Sequence, residues 1–173
     1  PMDAQELPFE NASLDVLLML EAIYFLPEAG KFLDEAKRVL RQGGALMIAS
    51  PNPQYESFNP APKSTKYFAP DEMKAEFEKR GFGAELLIGF PEDHSGLKSK
   101  VLNVVRKIAV ALRLIPDTME GKERIKRLIY GKLPPFPNEL DESTGEICPF
   151  EPIDKAKLPL EQYKVYYCIG RLP

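Results

Sequence analysis

The chain has 173 residues, 44% of them apolar and 28% charged, with a formal net charge of −3. These totals fit a soluble globular domain and exclude a disordered chain, a general nucleic-acid binder and, with no apolar run near the ~18 residues of a span, a transmembrane helix. The 17 prolines are about twice the usual share, and the first glycine is Gly30, so no glycine-rich phosphate-cradling loop lies near the N-terminus.

Residues 14–20 (LDVLLML) form an apolar run of strand length, the kind buried on both faces of a parallel sheet. Pro27 and Glu28 open a helical pattern in which Phe32, Leu33, Ala36, Val39 and Leu40 make one stripe. Lys31, Asp34, Glu35, Lys37 and Arg38 fill its other side. Gly43-Gly44 is expected to stop that helix, because glycine tolerates the left-handed C-cap. Residues 45–49 (ALMIA) are a second buried run. Strand, helix and strand predict a βαβ unit with a right-handed crossover and a parallel pair.

Five prolines between 51 and 70 exclude regular structure there. Pro70, followed by Asp71 and Glu72, opens another helix that buries Met73 and Phe77 and ends at Arg80-Gly81. Residues 83–90 read as a third strand. Residues 97–115 are long and amphipathic up to Pro116, and a shorter helical stretch follows at 120–130. Six prolines make 133–160 irregular, and 163–169 (YKVYYCI) is a strand by β-branched and aromatic content. Ten basic and three acidic residues lie between 98 and 132, so a basic insertion interrupts an acidic core. The expected division is a core at 1–92, an insertion at 93–160 and a last core strand at 161–173.

The chain starts with no basic-then-apolar signal pattern. Cys148 and Cys168 are too few for a disulfide framework and too isolated for zinc, so a reduced, cytoplasmic protein is expected. No Ser/His/Asp triad, metal cluster or paired-acid arrangement stands out. His94, the one histidine, reads as a structural or solvated loop residue, with catalytic base as the competing role.

Three motifs follow one another in order: Asp-Ala-Gln-Glu-Leu-Pro-Phe at 3–9, Ser-Leu-Asp-Val at 13–16 and Arg-Val-Leu-Arg-Gln-Gly-Gly at 38–44. They resemble the D-A-x-x-L-P-F, S-F-D-x-V and R-V-L-x-P-G-G motifs of class I S-adenosylmethionine-dependent methyltransferases, in their small-molecule, type 11-like branch. Leu14 and Gln42 depart from the pattern. The resemblance covers residues 2–91 and the final strand. It implies an α/β, partial Rossmann-like fold made of the family's fourth to seventh strands, in local order four, five, seven, six, with a helical insertion before the last.

The implied activity is methyl transfer from S-adenosylmethionine to a small-molecule acceptor, which residues 59–68 hint is sugar- or polysaccharide-related. By resemblance Asp3 accepts the adenine amino group, a task suited to an acceptor-only carboxylate. Ala4 meets the adenine ring, and Leu20 and Glu21 lie toward the methionine end. Tyr24, Asn52, Lys63 and Tyr67 are the candidate acceptor contacts, while Asp3 as a turn cap and Glu21 and Tyr24 as ordinary residues are the plainer readings. The general base is not identified.

The family's glycine-rich cofactor loop and acidic ribose ligand precede the position of Asp3, and this sequence contains neither. The chain alone is therefore expected to be truncated, inactive and a poor cofactor binder. Residues 14–20 would be a bare apolar edge, which calls for a second copy or a chain supplying the N-terminal half. The alternative is a non-catalytic interaction module. The basic stretch 97–132 is either a solvated face or a peripheral contact with an anionic membrane. Nucleic acid is not an expected partner.

Overall fold

In the computed structural model of the chain, residues 2–89, 104–105, 121, 123–124, 127, 131, 150–153 and 160–173 are described. His94, Cys148 and, isolated positions apart, the helices expected at 97–115 and 120–130 lie outside them. The chain divides into two compact units, residues 1–92 with 150–173 and residues 93–149. Among the described residues no helix is long and apolar enough to cross a membrane.

The first unit is a mixed sheet. Its strands are β1 (Leu14–Leu20), β2 (Leu40–Pro51), β3 (Gly83–Ile88), β4 (Glu151–Pro152) and β5 (Val165–Arg171), and its helices are α1 (Ala29–Val39) and α2 (Pro70–Glu78). The order across the sheet is β1-β2-β5-β3-β4. β1 and β2 run parallel, as a βαβ crossover requires, and β5 lies antiparallel between β2 and β3. The expected order of the four main strands is therefore observed, with the short β4 added at the far edge.

Both helices cover one face of the sheet. Phe32, Leu33 and Ala36 of α1 and Met73 and Phe77 of α2 share a core with Met19, Leu46, Ile48, Leu86, Ile88, Tyr166 and Cys168. Strand alternation sends the residues between these to the other face. On β1 those are Val16, Leu18 and Leu20, exposed by 56%, 57% and 58%. The sequence predicts burial on both faces for this strand; it is instead an end strand covered on one side among the described residues.

Gly43-Gly44 does not end α1. The helix stops at Val39, and Leu40 is already extended, with ψ 140. The glycines serve a bulge in β2, where the register jumps from Leu14–Leu40 to Val16–Ala45. Gly43 takes φ +74 there, and its N–H donates to the Leu172 carbonyl. At the start of α2, Pro70 needs no hydrogen-bond partner, and Glu72 reaches back to accept the Ala69 N–H at 2.9 Å. Arg80 then joins the helices, donating to Asp34, Glu76 and the Gly30 carbonyl.

Gly170 in β5 lies directly under the Phe77 ring, which a Cβ would overlap. Gly170→Ala is expected to destabilise the protein by about 1–3 kcal/mol, the usual range for overpacking. Urea unfolding measures this, and an unchanged midpoint would contradict the close approach.

Candidate functional site

The segment 3–11 has no regular structure, yet α1 holds it in place. Arg38 uses all five of its N–H donors. They go to both carboxylate oxygens of Glu35, the Leu7 and Phe9 carbonyls and the Asn11 side chain, at 2.7–2.9 Å. Glu35 in turn accepts the Leu7 N–H at 2.8 Å. Gln5 caps the start of α1 by accepting the Glu28 N–H. The sequence reading placed Glu35 and Arg38 on the solvent side of the helix; their role emerges only when the loop folds back. Asp3 at the head of this loop is exposed and accepts the Gln5 N–H at 2.8 Å. Ala4 packs half-buried against the core.

Arg38, and after it the Leu7 N–H, hold the Glu35 carboxyl down at about 2. An unperturbed glutamate titrates at ~4.3. The pairing thus stabilises the fold above that value and is lost as pH falls through the folded value.

The second cluster forms where β1 ends and α1 has yet to begin. Glu21 follows β1 with φ +54, a left-handed conformation that costs a non-glycine residue roughly 1–2 kcal/mol. Its N–H donates to Ala49 of β2 at 3.0 Å, which keeps it in register with the sheet. A short 310 turn, Ile23–Phe25, follows and brings the Tyr24 hydroxyl to 3.4 Å from the Glu21 carboxylate. Tyr24 stacks on Tyr67 with ring centroids 4.6 Å apart, and Phe58 meets Tyr67 edge-on at 4.8 Å. The proline-rich segment thus folds over the end of β1. Thr65 donates to the Tyr24 carbonyl at 2.7 Å, and Tyr67 accepts the Ala61 N–H at 2.9 Å.

Glu21 is open to solvent on one side while its carboxyl end packs beside Tyr24. That partial desolvation raises its pKa, against the Tyr24 hydrogen bond and the charge of Lys164, which lower it. Burial, and then the adjacent carboxylate, push the Tyr24 phenol up to about 12.

The other candidates fall elsewhere. Asn52 is 1% exposed, and its amide donates to the Leu160 and Tyr163 carbonyls at 2.8 and 3.0 Å while its oxygen accepts the Gln54 N–H. It latches the approach to β5. Lys63 is exposed at φ +65, and Leu20 presents its side chain on the open face of β1. Thr65 belongs to the 59–68 stretch already noted, whereas Phe58, apart from its proline-rich context, and Lys164 had no signal in the sequence. Among the described residues no group of His, Cys, Asp and Glu could hold a metal ion.

Residues 1–48 match the family model of the methyltransferase domain. A solved S-adenosylmethionine-dependent methyltransferase of Thermotoga maritima superposes with TM-score 0.58 over 99% of this chain and 62% of its own, at 16% identity. Residues 1–48 thus resemble the methyltransferase domain family, and the fold is shared with a solved S-adenosylmethionine-dependent methyltransferase. A phthiotriol/phenolphthiotriol dimycocerosates methyltransferase of Mycobacterium ulcerans is 46% identical over 54 residues, 31% of this chain and 20% of that protein. A fatty-acid O-methyltransferase of Mycolicibacterium smegmatis is 32% identical over 110 residues, 64% of this chain and 37% of that one. The matched stretch thus spans about a fifth of the length of the phthiotriol relatives. The matched region contains both Asp3 and the Glu21–Tyr24 pair.

Two outcomes are expected. In Arg38→Met the Leu7 amide exchanges with solvent about tenfold faster, by hydrogen-exchange NMR, and the Glu35 pKa climbs. In Tyr24→Phe the Glu21 pKa rises further, because a hydrogen bond that lowers it is gone. A carboxyl-carbon NMR titration that moved downward would contradict the pairing.

Proposed function

We propose that the protein transfers a methyl group from S-adenosylmethionine to an oxygen of an apolar small molecule. The observation that carries this is the family match over residues 1–48, a stretch that contains Asp3 and the Glu21–Tyr24 pair. Ligands of open α/β sheets bind at the carboxyl ends of the strands, where β1 delivers Glu21.

The residues present suit the cofactor. Asp3 spends one oxygen on the Gln5 N–H and keeps lone pairs for an exocyclic amine. The Tyr24 and Phe25 rings, 4.5 Å apart by centroids, favour a cation, as a sulfonium is. When bound, the cofactor supplies an electrophilic methyl. The chain's part is to hold the acceptor oxygen in line and to exclude water, the positioning effect that dominates such displacements. An apolar acceptor fits the rings of Tyr24, Phe25, Phe58 and Tyr67. The relatives named for a triol-derived dimycocerosate and for a fatty acid support the same class. Neither name supports the sugar-related acceptor expected from residues 59–68.

Calorimetry with S-adenosylhomocysteine on the protein expressed from its complete reading frame tests the reading. Binding is expected, and Asp3→Ala is expected to weaken it about tenfold, the worth of one charge-assisted hydrogen bond. A wild-type protein that ignores S-adenosylhomocysteine would sink the proposal.

A further inference from the structure

The methyl-transfer reading leaves open which oxygen is methylated, and the two groups of relatives point to different chemistries. The Glu21 cluster discriminates between them. A fatty-acid carboxylate is already an anion near neutral pH, and methylation makes it a neutral ester with no proton to lose. A hydroxyl keeps its proton, and its oxygen becomes a neutral ether only if that proton leaves. A glutamate at the acceptor position helps the second reaction and opposes the first.

Three geometric observations place such a glutamate here. Glu21 is held in a left-handed conformation between a strand end and a 310 turn. Strain of this kind is kept where the surrounding structure over-determines it, and it concentrates at functional sites. The Ala49 carbonyl holds its N–H from the neighbouring strand, and the Thr65 N–H holds the next turn. The backbone that carries the carboxylate is therefore fixed on both sides. The carboxylate is also open to solvent while its neighbours are rings: Tyr24 and Tyr67 are stacked, and Phe25, 44% exposed, lies 4.5 Å from Tyr24 by ring centroids. The 3.4 Å separation from the Tyr24 hydroxyl is long for an O–H···O bond, so the carboxylate retains acceptor capacity.

We infer that Glu21 is the proton acceptor for a hydroxyl-bearing apolar acceptor, and that its charge makes the site select a neutral hydroxyl over a carboxylate. This rests on the methyl-transfer reading above. In the step, the acceptor O–H bond breaks and its proton passes to a Glu21 carboxylate oxygen. The acceptor oxygen forms its bond to the methyl carbon, the methyl–sulfur bond breaks, and that electron pair stays on sulfur. The carboxylate becomes a carboxylic acid as the sulfonium becomes a thioether, so charge balances. Partial desolvation raises the basicity of Glu21, which suits the role, while the Tyr24 hydrogen bond and the charge of Lys164 pull it the other way. A second carboxylate beside Glu21 would meet a like charge in a partly desolvated place.

The test uses 1-decanol and decanoate as probes, with S-adenosylhomocysteine present, and reads acceptor binding by calorimetry at pH 8. Wild type is expected to prefer decanol by at least about tenfold, and Glu21→Gln to bring the two within about threefold of each other, because the like-charge penalty is gone. Methylation of decanol should fall about 100-fold or more in Glu21→Gln and recover in part in Glu21→Asp. S-adenosylhomocysteine affinity should stay within about threefold in both variants, which also certifies the fold. Equal or tighter binding of decanoate by wild type overturns the inference, as does a preference unchanged in Glu21→Gln, or no binding of either probe. A Glu21→Gln protein that loses S-adenosylhomocysteine instead would make Glu21 a cofactor contact and overturn it as well. Loss of S-adenosylhomocysteine binding by wild type is a separate result, and it removes the parent reading.

Discussion

The sheet depends on the insertion of its last strand. Among the described residues β1 pairs only with β2, and β3 pairs with β4, so without β5 the sheet would fall into two pieces. β5 joins them with ladders on both edges, from Ala45–Arg171 to Pro51–Val165 on one side and from Gly83–Arg171 to Ile88–Tyr166 on the other. Its inward residues show how tight this is. Tyr166 and Cys168 are fully buried, and Gly170 leaves just enough room for Phe77. Tyr166 satisfies its buried hydroxyl on the Phe68 carbonyl at 2.9 Å, and burial pushes the Cys168 thiol up to about 12, so it stays a neutral, free thiol. Asn52 completes the arrangement by holding the Leu160 and Tyr163 carbonyls just before the strand begins.

Around that sheet, charged side chains do local positioning work. Arg38 ties the irregular N-terminal loop to α1, and Arg80 ties α1 to α2. Both guanidiniums act through several hydrogen bonds to carboxylates and carbonyls at once, which gives orientation as well as attraction. The result is that Asp3 and Glu21 depend on the same helix. The loop bearing Asp3 is clamped to α1, and Glu21 sits on the short connection that leads into it. The proline-rich segment then covers that connection with Phe58, Thr65 and Tyr67.

Much of the fold was legible because it rests on periodicity and local chemistry. The run at 14–20, the stripe through Phe32, Leu33 and Ala36, the proline start of α2 and the β-branched end of the chain each announce an element. The order of the strands came from the family motifs, since periodicity carries no information on pairing. What lay beyond the sequence has physical causes. Gly43-Gly44 has the chemistry of a helix cap, but a β-bulge demands the same positive φ, and pairing with β1 and β5 decided between them. Asn52 has the look of a ligand contact at a strand end, yet its partners lie more than a hundred residues away in sequence, where no local pattern points.

By itself, the sequence determined the element types, the parallel crossover and the family resemblance, all of which follow from short-range spacing and ordered motifs. Only the tertiary structure decided what each polar side chain does. Arg38 looked solvated until the loop folded onto it, and Glu21 became a strained, ring-flanked carboxylate only when β2 and the 51–70 segment closed around it. Hydrogen bonds and desolvation act through space over a few ångströms, so they are set once distant segments meet.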